Sequence, residues 1–161
     1  RFLGFDVFGK FPDSDWSEDA KELEAWVSDA GEMSIDRDEL LGFLTEQGLA
    51  SNVELVKGDI RETLPDYFES NRGLSIAIAN IDVDLYGPTK TAIETIFPRV
   101  PKGGIIILDD YAGGFPGANR AIEEFLEANK RPETIQKFDF TDTPCFLVKE
   151  HYNRHTASHQ P

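Results

Sequence analysis

Short apolar runs alternate along this chain with longer stretches in which hydrophobic positions recur every three to four residues. Phe2-Leu3-Gly4-Phe5, Val53-Glu54-Leu55-Val56-Lys57, the stretch from Leu74 to Asp82 and the run Ile105 to Asp109 read as strands. Between them the spacing predicts helices over 17–30, from Ser34 to a stop at Gly48, over 62–70 with a start near Pro65, from Pro88 to Phe97, and from about Ala118 to Asn129. Ser17 is the expected N-cap of the first of these helices. Strands alternating with helices predict an α/β fold around a parallel sheet. Ile135–Phe140 and Phe146–Glu150 lie close enough in sequence to close the sheet as an antiparallel hairpin through Thr141-Asp142-Thr143-Pro144. The picture is one α/β domain over 1–150 and a polar, frayed tail over 151–161.

Composition narrows the choice of partners. The chain has 161 residues, enough for one domain with a real core, and a formal net charge of −14. That charge argues against nucleic acid and against anionic membrane surfaces, both of which demand clustered Lys and Arg. No apolar run approaches the ~20 residues of a membrane span and no signal peptide is visible, so the cytoplasm is the expected location. The single cysteine, Cys145, sits in an apolar strand run and reads as a buried, inert thiol.

The informative residues are acidic. Ile81-Asp82-Val83-Asp84-Leu85-Tyr86 and Leu108-Asp109-Asp110-Tyr111 each close a strand, the place where parallel sheets bind ligands. Carboxylates gathered there repel one another unless a cation or proton offsets them. Asp82, Asp109 and Asp110 are therefore the candidate metal ligands, and an all-oxygen set favours Mg2+. The alternative is that such acids cap the helices that follow.

Five elements in order resemble a known family: Phe5-Asp6-Val7-Phe8-Gly9-Lys10-Phe11-Pro12, Gly58-Asp59-Ile60-Arg61-Glu62-Thr63-Leu64-Pro65, the two acidic signatures, and Phe115-Pro116-Gly117-Ala118-Asn119-Arg120-Ala121-Ile122. The chain is similar over most of 1–130 to the macrocin O-methyltransferase family, Mg2+- and S-adenosylmethionine-dependent enzymes that methylate sugar hydroxyls of natural products. The resemblance implies a class I methyltransferase (Rossmann-like) sheet, flanked by helices and ending in the antiparallel hairpin. It also implies that the first strand and Gly-rich loop of that fold are missing: no G-x-G-x-x-G occurs, and Phe2–Phe5 would be the second strand. The expectation is a truncated chain whose absent strand belongs between those ending at Asp6 and Asp82. The alternative is a small, rearranged domain.

In the family the acids at Asp82, Asp109 and Asp110 surround the metal. Asp84 is the candidate general base, since residues i and i+2 at a strand end share a side; the alternatives are an N-cap for the helix at Pro88 or a partner of the metal ligands. Asp6 is the candidate acceptor for the ribose hydroxyls of the cofactor and Asp59 for its adenine amino group. Ile60 would pack on the adenine ring, where the family often has an aromatic. Tyr86 and Tyr111 either line the acceptor pocket or pack with a polar tip. Gly113, Gly114 and Gly117 suggest a mobile loop, Arg120 a helix face, and His151, His155 and His159 a tail without a metal site.

The expected acceptor is a small-molecule hydroxyl, a sugar or a glycosylated natural product. The rivals are a Mg2+-dependent methyltransferase of small phenols or polysaccharide, and a non-catalytic remnant that binds a metal or a partner through its acids. Family members are often oligomers, which leaves a homo-oligomer open.

Overall fold

The computed structural model describes residues 1–150; the tail and its three histidines lie outside the described residues. In chain order the elements are β1 (Phe2–Asp6), α1 (Ser17–Ala30), α2 (Arg37–Glu46), β2 (Val53–Lys57), α3 (Ile60–Ser70), β3 (Ile78–Ile81), α4 (Tyr86–Ile96), β4 (Ile105–Leu108), α5 (Pro116–Ala128), β5 (Gln136–Lys137) and β6 (Cys145–Val148). Single 3-10 turns precede β2 and follow α4. No helix among the described residues is long and apolar enough to cross a membrane.

β1 pairs with β2 in parallel, Phe2 opposite Val53 and Asp6 opposite Lys57. β3 and β4 are also parallel, Ile78 opposite Ile105 and Ile81 opposite Leu108. β6 runs antiparallel to β4, with Cys145 opposite Leu108, and β5 adds an antiparallel edge, so the closing hairpin forms as its spacing predicts. Among the described residues no ladder joins β1 to β3, and the strands fall into a two-stranded and a four-stranded sheet. The break falls between β1 and β3. Ile78 on β3, though apolar, is left 64% exposed.

The core lies on the helical side of the four-stranded sheet. Ile81, Ile106, Leu108 and Leu147 from the strands meet Ile93, Ile96 and Phe97 from the α4 segment, Ile122 and Phe125 from α5, and Leu64 and Phe68 from α3. α3 packs on both β1 and α4 and so carries the contact between the two sheets. Phe5 of β1 lies edge-on to Tyr67 and stacks against Phe68. Each such side chain contributes ~1.5–3 kcal/mol through removal of apolar surface from water.

Helix boundaries depart from the sequence reading where a cap decides them. Trp16, not Ser17, holds the N-cap position of α1, and its N–H is taken by Ser14 Oγ. α2 starts at Arg37 because Asp36 accepts from the N–H groups of Asp38 and Glu39, which leaves Ile35 outside the helix. α3 begins five residues before Pro65, capped by Asp59, and carries the proline in its interior. The stretch 74–77 stays outside β3.

At the amino end of β4 a buried cation cluster closes the sheet. Gly103 N–H donates to Lys149 O and Lys149 N–H to Gly104 O. The Lys149 ammonium donates to Phe97 O at 2.7 Å and lies 4.0 Å from the centre of the Phe97 ring. The Arg131 guanidinium lies 4.7 Å from the centre of the same ring and is paired with the buried Glu133. Burial, with the Arg131 charge added, lowers the Lys149 pKa to about 8. The unfolded chain therefore binds the extra proton more tightly, and this group makes stability rise with pH between about 8 and 10.5. Urea unfolding at pH 7.5 and 9.5 will show a gain on the order of 1 kcal/mol from Lys149. Lys149→Met will flatten it; an unchanged slope in that variant would exclude Lys149 as the source.

Candidate functional site

Parallel pairing puts β3 and β4 in step, and the residues that leave them emerge side by side. Asp109 N–H donates to Ile81 O at 3.0 Å, extending the ladder by one rung. One carboxylate oxygen each from Asp82, Asp109 and Asp110 lies within 4.8 Å of the other two. The three acids proposed as metal ligands are thus brought together. Asp110 is fixed by the neighbouring loop: its Oδ2 accepts from Asp84 N–H at 2.9 Å and from Val83 N–H at 3.2 Å.

Asp84 reaches this place by a turn rather than by strand alternation. β3 ends at Ile81, and Asp84 has φ of 57°, a conformation that non-glycine residues adopt seldom. The turn aims its N–H at Asp110 and leaves its half-buried side chain beside the same residue. Asp84 does not cap the following helix. Leu85 holds the N-cap position of α4, and the first N–H groups of α4 go instead to acids from the α1 segment.

Crowding shows in the protonation of the cluster. Burial first, then the charges of Asp109, Asp110 and Asp6, push Asp82 up to about 6. Burial and Asp110 raise Asp84 further. Asp110 is raised by its own burial, against the pull of the two N–H donors. A divalent cation relieves this repulsion, and the oxygen-only donor set fits Mg2+.

The other expected residues divide. Asp6 closes β1, and its Oδ1 accepts from Phe8 N–H and from Ser34 Oγ at 3.0 Å, so a second segment steadies it. Asp59 is more committed than expected: it caps α3 and both its oxygens accept from the Arg61 guanidinium. Ile60 is half-buried and packs on the core. Tyr86 donates to Glu124 at 2.7 Å and Tyr111 to Glu123 at 3.0 Å, so both hydroxyls are held by α5 rather than by the acid cluster. Burial and Glu123 push Tyr111 up to about 12. Gly117 lies in the first turn of α5, Arg120 pairs with Glu124 along that helix, and Cys145 is buried in β6.

Three contributors escaped the sequence reading. Asp19 is buried in α1, and Asp15 accepts from Gly87 N–H and from Arg61. Asn119 accepts from Ala112 N–H and holds the loop after Asp110. Asp15 precedes the expected helix over 17–30 and Asp19 lies within it, both in an acid-rich stretch where neither spacing nor composition marks them out.

The shift of Asp82 gives a stability signature. Its raised folded pKa means the cation-free native state loses stability as pH rises from about 4 through about 6. Asp82→Asn removes that penalty. Measured with chelator present at pH 7, the variant will be more stable than wild type by about 1 kcal/mol after solvent screening. A loss of stability would overturn the reading that the Asp82 charge is a net cost to the cation-free fold.

Comparison with known proteins gives the fold and the family. A curated relative, 8-demethyl-8-(2,3-dimethoxy-alpha-L-rhamnosyl)-tetracenomycin-C 4'-O-methyltransferase of Streptomyces olivaceus, is 30% identical over 110 residues, 68% of this chain and 37% of the relative. Mycinamicin III 3''-O-methyltransferase of Micromonospora griseorubida is 26% identical over 137 residues, 84% of this chain and 51% of the relative. The chain spans about half the length, or less, of these two relatives. The solved structure of the O-methyltransferase NovP superposes with a TM-score of 0.78, covering 92% of this chain and 60% of NovP at 21% identity, which establishes the class I methyltransferase fold. The Macrocin-O-methyltransferase (TylF) family matches residues 2–145, almost the whole described chain, and the protein belongs to that family.

Proposed function

We propose that the protein serves methyl transfer from S-adenosylmethionine to a hydroxyl of a sugar or a glycosylated natural product, with Mg2+ at the strand-end acids. The observation that carries this reading is the convergence of Asp82, Asp109 and Asp110 within 4.8 Å of one another in a chain of this family. The tetracenomycin relative, whose name specifies O-methylation of a rhamnosyl-bearing product, supports the acceptor class, and the mycinamicin relative is likewise named an O-methyltransferase.

When bound, S-adenosylmethionine supplies an electrophilic methyl group, and Mg2+ supplies positive charge that orients a hydroxyl and lowers its pKa. The chain's own residues supply the rest. We assign Asp82, Asp109 and Asp110 to the metal, with Asp110 held in orientation by the N–H groups of Val83 and Asp84. To Asp84 we assign uptake of the acceptor's proton; its support is its seat beside the three ligands but outside their cluster. Asp6 is assigned to the ribose hydroxyls, since Phe8 and Ser34 both bond its Oδ1. Because Arg61 occupies the Asp59 carboxylate, we assign the adenine end to the start of α3 at Asp59 and Ile60 rather than to a free acid. Most of the acceleration would come from alignment of the acceptor oxygen with the methyl carbon.

The test is transfer of labelled methyl from S-adenosylmethionine to a panel of nucleotide sugars, glycosides, catechols and polysaccharides, with and without Mg2+. Transfer to a sugar hydroxyl should require Mg2+ and fall at least a hundredfold in Asp82→Asn and Asp109→Asn. Asp84→Asn should lower kcat while leaving the Mg2+ requirement at its wild-type concentration. Transfer that survives chelation, or exceeds sugar transfer on catechols, would overturn the assignment.

A further inference from the structure

One carboxylate ties the two halves of the acid cluster together from outside it. Asp19, in the first turn of α1, is fully buried. Its Oδ2 accepts from Tyr86 N–H at 2.8 Å and its Oδ1 from Gly117 N–H at 2.7 Å. Tyr86 opens α4, directly after the loop that carries Asp82 and Asp84; Gly117 lies in the first turn of α5, the helix that follows the Asp109–Asp110 loop. The two helix N-termini, each with unpaired N–H groups and a partial positive charge, converge on the same side chain. A Cβ on Gly117 would overlap the Asp19 carboxylate, so the backbone of α5 approaches as closely as a glycine allows. One residue away from Tyr86, Gly87 N–H donates to Asp15 at 3.2 Å, and Asp15 in turn accepts from Arg61.

Resting on the metal-site reading above, we propose that Asp19 is a positioning residue for the cation site: it fixes the separation of the Asp82 loop from the Asp109–Asp110 loop by clamping the helices that follow them. Asp19 touches neither metal nor substrate. It acts because a buried anion is stable here only while both N–H groups stay on it, so a drift of either helix leaves a charge without its donors. The three ligand carboxylates need a fixed spacing to serve a small cation that tolerates little deviation in geometry, and Mg2+ is such a cation. A solvated acidic helix face would place Asp19 in water; instead it is buried at the one point where α4 and α5 both present their N-termini to α1.

The test is titration of the protein with Mg2+ alone by calorimetry, alongside thermal unfolding. Four variants are compared with wild type: Asp19→Asn, Gly117→Ala, Asp82→Asn and the core variant Leu147→Ala. Leu147 is fully buried in the middle of β6, and its truncation destabilises the fold without touching the clamp. Asp19→Asn keeps the size of the side chain but can accept only through one oxygen, and Gly117→Ala forces the carboxylate aside with Asp19 itself intact. The expected result is a Kd for Mg2+ weakened at least fivefold in Asp19→Asn and in Gly117→Ala, with Leu147→Ala within twofold of wild type at an equal or larger loss of Tm. Should Asp19→Asn fail to fold, Gly117→Ala carries the test. If both clamp variants bind Mg2+ no worse than Leu147→Ala, the positioning role is wrong while the metal site stands. If wild type binds no Mg2+, or Asp82→Asn binds as wild type does, the metal-site reading falls and this proposal with it.

Discussion

Three carboxylates held within a few ångströms repel one another, and the way the fold tolerates them organises the rest of the molecule. The repulsion is imposed by register: Ile81 lies opposite Leu108, so the next residue on each strand, Asp82 and Asp109, has no freedom to avoid its neighbour. The fold answers with directed N–H groups. Val83 and Asp84 donate to Asp110, and Asp84 takes up a left-handed conformation in the turn that allows it. Backbone donors of this kind lower the energy of an ionised acid without neutralising it, so the cluster keeps the charge that attracts a cation.

Much of this was legible in the residues. The strand end at Asp6, the ends of β3 and β4 to within one residue, the antiparallel hairpin closing the sheet and the buried Cys145 all follow from apolar runs bounded by acids or turn residues. The convergence of Asp82, Asp109 and Asp110 was legible for the same reason, since the register of β3 and β4 sets their ends side by side. The helix starts were less so, because a cap is decided by which side chain reaches an N–H. Asp36 and Asp59 do reach one; Ser17 does not. Asp84 shows the limit of periodicity: the alternation argument holds on a strand, and the strand stops three residues short of it.

Least legible were the residues whose role lies in what they touch far along the chain. Asp19 bonds partners 67 and 98 residues away. In sequence it belongs to a run of charges on a helix that should be wet. Arg61 similarly looks like a surface cation in the first turn of α3, yet it fills the Asp59 carboxylate and reaches Asp15. Such long-range pairings are products of topology, and a local pattern carries no trace of them.

The close approach of two glycines to the acids of the α1 segment has a consequence for how such a chain can change over generations. A side chain at Gly117 would collide with Asp19, and one at Gly87 with Asp15. An exchange at Gly117 displaces the buried Asp19 carboxylate, whereas one at Gly87 displaces Asp15, which stands at the surface and can turn outward. Positions 19 and 117 are therefore coupled more tightly than 15 and 87. A change in the α1 segment is therefore felt, through these two points, at the starts of α4 and α5 beside the acid cluster.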